Sequence, residues 1–193
     1  YIVIWACNSV STNLHHWTIV QEAKKRGAKV VVIDSYKSRT AKQADWHIEP
    51  KPGSDGALAV SLINYIIYND LTDEDYIRNY TNGFDDLKIH VKDKTPKWAS
   101  KITGIPEEDI KTLAHEIATN QPVGIRIGVA LERHHGGGQT IRAVTCIPAL
   151  TGALKHVGGG ITQFPVWEHP YKFDVICRPD LIPKGTRVVN ALQ

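Results

Sequence analysis

The sequence predicts an α/β protein with a Rossmann-like, mainly parallel sheet flanked by helices, followed by an extended C-terminal segment. Short β-branched apolar runs alternate with helical stretches, as they do in βαβ units. Apolar residues make up 42% of the 193 residues, which is enough for a buried core. The net charge of +3 is too small to indicate a nucleic-acid-binding surface. No apolar stretch reaches the roughly 20 residues that a membrane-spanning helix requires.

The first 33 residues predict one βαβ unit. Residues 1–5 (YIVIW) and 28–33 (AKVVVI) are apolar runs that predict buried strands. A polar loop at residues 6–14 is expected to precede a helix at residues 15–26, which Gly27 ends. The two strands should be parallel, because the helix between them forms a right-handed crossover.

The alternation continues through the rest of the chain. A short strand is predicted at residues 46–48 and an apolar strand at 123–129. Helices are predicted at residues 55–69, 73–80 and 84–91, from Thr95, from Ile105 to Thr119, and at 139–154. We assign residues 1–160 to one domain and residues 161–193, which contain four prolines, to an extended segment of a neighbouring domain. The chain contains no methionine, so we expect it to be a piece of a longer protein.

The candidate site follows from the predicted sheet. In parallel sheets, ligands bind beyond the carboxyl ends of the strands. This rule indicates four segments, which are loop 6–14, the loop after Asp34, turn 52–55 and loop 128–138. The glycine fingerprint of NAD-binding proteins and the P-loop are both absent from the chain.

The first two segments contain side chains that suit a phosphorylated ligand. In loop 6–14, Asn8, Ser11 and Thr12 lie before a helix, where an anion is favoured, although a capped loop without a ligand is the alternative. Asp34 ends a strand, where an acid can accept hydrogen bonds from ribose hydroxyls or simply begin a turn. Arg39 and Thr40 follow closely enough to contact phosphate or ribose.

The other two segments add a carboxylate and a cationic loop. Asp55 follows Gly53 in the third segment and is either a helix N-cap or an acceptor for the paired donors of guanine. In the fourth segment, which begins at Gly128, Arg133 and Gly137 belong to a cationic, glycine-rich loop suited to pyrophosphate or pterin. The adjacent histidines there lack the spacing of a zinc site, and no two of the three cysteines have CxxC spacing.

Five short motifs occur in order within residues 1–160. They are IVIWACNSVST at 2–12, IDSYKSRTAKQAD at 33–45, PGSDGAL at 52–58, ITGIP at 102–106, and ALTG at 149–152 followed by GGG at 158–160. In this order and spacing, they resemble the molybdopterin oxidoreductase family related to dimethyl sulfoxide reductase, formate dehydrogenase and periplasmic nitrate reductase. Three departures occur: Ala6-Cys7 replaces a glycine-led pair, Ser9 replaces proline, and Ser35-Tyr36 replaces Pro-Arg.

The resemblance implies that the domain binds one guanosine arm of bis(molybdopterin guanine dinucleotide) carrying molybdenum or tungsten. Asn8 and Thr12 would then lie near pyrophosphate, Asp34 near ribose and Asp55 at guanine. It further implies a full-length oxidoreductase that transfers an oxygen atom or a hydride equivalent to or from a small-molecule substrate. The isolated chain would be inactive, because the metal ligand and any 4Fe-4S cluster belong to a preceding segment.

The partners that the resemblance implies are the rest of the same catalytic chain and, in some relatives, an iron–sulfur electron-transfer subunit. No nucleic acid is expected as a partner. Two alternatives stay open from the sequence. One is a nicotinamide-dependent oxidoreductase domain, and the other is a non-catalytic subunit that keeps the fold.

Overall fold

A computed structural model describes residues 1–163, 172–187 and 189 of the chain. Its centre is a five-stranded sheet of order β3-β2-β1-β4-β5, in which every neighbouring pair is parallel. The strands are β1 Ile2–Trp5, β2 Val30–Ile33, β3 Trp46–Ile48, β4 Gly124–Ile127 and β5 Gly160–Thr162. The predicted α/β class and the predicted parallel sheet are therefore confirmed.

Helices connect and flank the strands. They are α1 Ser9–Thr12, α2 Leu14–Lys25, α3 Asp55–Tyr68, α4 Glu74–Tyr80, α5 Phe84–His90, α6 Pro96–Thr103, α7 Glu107–Thr119, α8 Gly137–Leu150 and α9 Phe173–Cys177. Short 3-10 turns occur at Ala41–Gln43, Val129–Arg133, Ala153–Lys155 and Pro179–Leu181. Among the described residues, none of the helices combines the length and the apolar character needed to cross a membrane.

The two faces of the sheet carry separate hydrophobic cores. Successive residues of a strand point to opposite faces, so Val3 and Trp5 enter one core and Ile4 enters the other. The larger core lies under α3, which packs against α6, α7 and α8. The smaller core lies under α2, which contributes Trp17 and Val20. Burial on both faces explains why the strands read as continuous apolar runs.

Helix ends agree with local sequence signals, with small shifts from the predicted bounds. Asn13 caps α2 by accepting a hydrogen bond from the His16 N–H, which starts the helix one residue earlier than predicted. Helix α8 ends at Leu150 rather than at residue 154, because Gly152 adopts a left-handed conformation with φ of 65°.

Three described helices and strands were not predicted. Helix α1 lies within the predicted loop 6–14, and it spans only four residues, too few for a periodic pattern. Strand β5 has three residues and begins with a glycine, so it lacks the apolar run that marks β1 and β2. Within the predicted extended segment, the described residues include the short helix α9. Residues 164–171, 188 and 190–193 of that segment lie outside the described residues.

Candidate functional site

The four predicted loops lie at one edge of the sheet. The register pairs Trp5 with both Ile33 and Ile127, and Ile33 in turn with Ile48. These residues are the last of their strands, and the strands are parallel, so the segments that follow them leave the sheet on the same side. This confirms the prediction that loops 6–14 and 34–40 lie at one edge.

A hydrogen-bond network joins the first loop to the second. The Thr40 hydroxyl donates to Asn8 Oδ1 at 2.8 Å and accepts from the Val10 N–H at 3.0 Å. Asn8 Nδ2 donates to the Tyr36 hydroxyl at 3.2 Å. Thr40 is fully buried, and the amide of Asn8 is occupied on both sides by protein groups. In this structure, Asn8 and Thr40 therefore hold the loops together, and Tyr36 occupies the position of the arginine in the family motif.

We predict that this network couples the two loops energetically. Thr40→Val removes the hydroxyl but keeps the shape, which should lower the free energy of unfolding by about 1–3 kcal/mol. In a double-mutant cycle, Thr40→Val and Asn8→Ala should be non-additive by about 0.5–2 kcal/mol in urea unfolding. Thr12→Val takes the place of Thr40→Val in the matched control cycle and should be additive with Asn8→Ala. The exposed Thr12 hydroxyl bonds only the backbone carbonyl of Asn8, which Asn8→Ala leaves in place. Additive effects of the first pair would contradict the coupling.

The hydroxyl-bearing residues of the first loop differ in their burial. Ser11 and Thr12 are exposed. Ser9 is fully buried, and its hydroxyl lies 3.0 Å from His16 Nδ1 and 3.6 Å from Cys7 Sγ. Burial, together with the nearby positive charge of Arg126, lowers the pKa of His16. Ser11 and Thr12 are therefore the exposed hydroxyls of this loop.

Asp34 lies at the end of β2 and is partly buried. Burial raises the pKa of its carboxyl, against the opposing effects of hydrogen bonds from Ser38 and from the Ser35 backbone. His47 Nε2 lies 3.0 Å from the Asp34 backbone carbonyl. Because water is already partly excluded from this carboxylate, new hydrogen-bond donors would compete with little water for it. The Asp34 carboxylate is therefore a partly desolvated acceptor at this edge.

Asp55 begins helix α3 at the same edge. Its Oδ1 accepts a hydrogen bond of 2.7 Å from the indole Nε1 of Trp5. Gly53, two residues earlier, adopts φ of 79°, and a Cβ added there would lie 3.7 Å from His134 Nδ1. The turn that carries Asp55 therefore lies next to the cationic loop after β4.

At two of the candidate glycines, a side chain would collide with the backbone of a neighbouring segment. A Cβ on Gly128 would lie 1.9 Å from the Ala6 carbonyl oxygen, and a Cβ on Gly137 would lie 2.5 Å from that of Glu132. Ala6 itself adopts φ of 52°, a conformation that glycine would tolerate without strain. The replacement of the family's glycine by alanine therefore leaves the turn in place, at a cost of about 1–2 kcal/mol.

Two candidate cations are exposed at this edge. Arg39 and Arg133 both have exposed side chains, and within the described part of the chain neither has a hydrogen-bond or ion-pair partner. The backbone N–H groups of Gly138 and Gln139 lie in the first turn of α8, which follows Arg133 in the chain. They therefore have no hydrogen-bond acceptor within the helix. The loops at this edge thus carry two arginines, unpaired among the described residues, as well as the carboxylates of Asp34 and Asp55.

The sequence did not identify two of the residues that organise this edge. Tyr36 was noted only as a departure from the family motif, and Trp5 only as part of an apolar strand. A tryptophan at the end of a buried strand is the available signal, because its indole N–H requires an acceptor when buried. Within the described residues, no three or more histidine, cysteine or acidic side chains are grouped as a metal site requires.

Comparisons with known proteins agree with this arrangement. Residues 1–178 match the family model of the molybdopterin oxidoreductases. The chain is 42% identical over 184 residues to the probable oxidoreductase YoaE of Bacillus subtilis, covering 95% of this chain and 27% of YoaE. It is 33% identical over 175 residues to the dimethyl sulfoxide/trimethylamine N-oxide reductase of Rhodobacter capsulatus, covering 82% of this chain and 21% of that protein.

A solved structure has the same fold. The acetylene hydratase of Pelobacter acetylenicus superposes with a TM-score of 0.76 at 27% identity, over 82% of this chain and 22% of the hydratase. The chain spans about a quarter of the length of these relatives. Because the family model matches residues 1–178 of the 193, the chain belongs to the molybdopterin oxidoreductase family.

Proposed function

We propose that the full-length protein is an oxidoreductase and that this chain holds one guanosine arm of bis(molybdopterin guanine dinucleotide). The observation that supports this most directly is the convergence of four loops at one edge of the sheet, with the Asp55 carboxylate fixed there by Trp5. The cofactor would supply molybdenum or tungsten, at which an oxygen atom or a hydride equivalent is transferred.

The residues of the edge suit such a ligand in charge and in hydrogen-bonding capacity. Asp55 offers two acceptor oxygens to the N1–H and 2-amino group of guanine, and Asp34 offers an acceptor to ribose hydroxyls. Arg39, Arg133 and the exposed hydroxyls of Ser11 and Thr12 suit pyrophosphate. Asn8 and Thr40 would have roles different from those expected from the sequence. They would position the loop rather than contact phosphate.

The rest of the catalytic chain would complete the site. We propose that it supplies the metal ligand, the second wall of the cofactor site and any 4Fe-4S cluster. An iron–sulfur subunit would be the electron partner. Metal and nucleotide analysis of the purified full-length protein tests the proposal. We expect molybdenum or tungsten with two equivalents of GMP released per metal by acid hydrolysis. A metal-free protein that instead binds NADH would contradict it, as would one that retains no guanine nucleotide.

We predict that the 193-residue chain alone binds GDP only weakly. It would supply one wall of a site shared between domains, so most of the ligand surface would stay in water and little of the ordering cost would be offset. Isothermal titration should give a dissociation constant of about millimolar order, equivalent to about −4 kcal/mol. A submicromolar constant would show that the site is complete within this chain, which would favour an autonomous nucleotide-binding domain over a cofactor-binding wall.

A further inference from the structure

The contact between Trp5 and Asp55 joins the end of β1 to the start of α3. The indole Nε1 donates to Asp55 Oδ1 at 2.7 Å, between residues 50 positions apart in the sequence. Trp5 is completely buried, whereas Asp55 is partly exposed. A short hydrogen bond to a carboxylate is stronger and more directional than one between neutral groups. Because the rigid, buried indole cannot move, its N–H fixes the orientation of the carboxylate.

We propose that Trp5 is a positioning residue that gives Asp55 its preference for guanine. This inference rests on the proposed function of Asp55. Each carboxylate oxygen has two lone pairs, so Oδ1 keeps one acceptor position after it bonds the indole. Among the described residues, Oδ2 accepts no hydrogen bond. Both oxygens are therefore open to the two adjacent donors of guanine, but only while the carboxylate plane is held still.

Rotation of the Asp55 carboxylate would weaken the binding of different bases to different extents. Guanine presents its N1–H and its 2-amino group side by side, and it gains from an acceptor pair only when both oxygens lie close to the plane of the base. Hypoxanthine lacks the 2-amino group and presents only the N1–H, so one oxygen satisfies it in many orientations. Loss of the indole N–H should therefore weaken guanine binding more than hypoxanthine binding.

A purely structural role for Trp5 makes a different prediction. The buried indole N–H needs an acceptor in any case, and Asp55 satisfies it. If that were its whole role, removing the N–H would lower the stability of the fold and leave the preference between bases unchanged. The ratio of affinities for GDP and inosine diphosphate (IDP) therefore separates positioning from structural support.

The experiment uses the full-length protein, produced in cells that cannot synthesise the pterin cofactor, with GDP and IDP as probes in equilibrium dialysis. Because the cofactor has two guanosine arms, the binding curves are fitted with two sites, and the ratio of affinities is compared at each site. In the wild-type protein, GDP should bind about ten- to hundredfold more tightly than IDP, since one hydrogen bond to a charged acceptor is lost. Position 5 is changed in two ways, as Trp5→Phe and by incorporation of 3-benzothienylalanine. The second residue has the shape of tryptophan with sulfur in place of the N–H, so it tests the donor even if Trp5→Phe does not fold.

In the benzothienylalanine protein, the ratio of GDP affinity to IDP affinity should be at least about threefold lower than in the wild type. Its circular dichroism spectrum should be unchanged. Asp55→Asn, measured beside it, should also reduce the ratio. An unchanged ratio at position 5 with a reduced ratio in Asp55→Asn would overturn the role of Trp5 and leave the guanine assignment standing. A ratio that Asp55→Asn does not change would overturn the guanine assignment itself, and with it the inference.

Discussion

Replacing Asp55 with alanine in the full-length protein is expected to lower its affinity for the guanine-containing cofactor about ten- to hundredfold. The change removes a charged acceptor from the proposed guanine site, and such a hydrogen bond is worth about 1.5–3 kcal/mol. It also leaves the buried Trp5 indole N–H without its acceptor, which should lower the free energy of unfolding by about 1–3 kcal/mol. The measurements are the metal and GMP content of protein purified under limiting cofactor, together with urea unfolding.

Asp55→Asn is the matched control, because its amide oxygen can still accept from Trp5 while the negative charge is lost. It should unfold close to the wild-type urea concentration and yet carry less metal and guanine. If Asp55→Ala retains wild-type metal and guanine content under limiting cofactor, Asp55 does not bind the guanine. If Asp55→Asn retains the cofactor while Asp55→Ala loses it, the loss in alanine comes from the fold rather than from a lost base contact.

Replacing Gly128 with alanine is expected to destabilise the protein by about 3 kcal/mol and to deplete the cofactor. The added Cβ would lie 1.9 Å from the Ala6 carbonyl oxygen and 2.7 Å from its carbonyl carbon. Both atoms belong to the backbone, so the strand end must separate from the loop, as overpacking of a well-packed site requires. The Gly128 N–H also donates to the Trp5 carbonyl at 2.8 Å, and this bond would be strained.

Gly138→Ala provides the control for the Gly128 prediction. Apart from its chain neighbours and the nearby backbone of α8 itself, no heavy atom of the described residues lies within 4 Å of a Cβ added at Gly138, and the position lies in the first turn of α8. Alanine there should stabilise the helix by about 0.5–1 kcal/mol, because glycine is a poor helix residue. The two variants should therefore shift thermal unfolding in opposite directions. A Gly128→Ala protein that unfolds like the wild type would show that loop 6–14 has room to move away from β4.

The conformation of Ala6 explains why Gly128 matters. The chain makes its turn after β1 with an alanine at φ of 52°, where the family motif has glycine. The turn is kept by contacts from both sides, which are the Ala6 N–H bonded to the Ile33 carbonyl at 2.8 Å and the close backbone of Gly128. The departure noted in the motif is therefore compatible with the fold, because neighbouring strands impose the conformation that alanine by itself disfavours.

The sequence by itself determined the sheet, its parallel direction and the edge at which the loops meet. These features follow from apolar runs and helix signals that are local in the chain, and register then aligns Trp5, Ile33 and Ile127. The motifs, which also lie within short segments, predicted the family that the comparison confirms. Strand β5 was missed because three residues that begin with glycine carry no periodic pattern.

Only the tertiary structure decided what the polar side chains at that edge contact. Asn8 and Tyr36 are 28 residues apart, and Trp5 and Asp55 are 50 residues apart, yet each pair is hydrogen-bonded. Nothing in a local pattern links such residues, because their distance depends on how the strands pair and on how the helices pack over the sheet. A strand can be predicted to be buried from its own side chains. The acceptor for a buried indole N–H, however, depends on which element the fold places next to it.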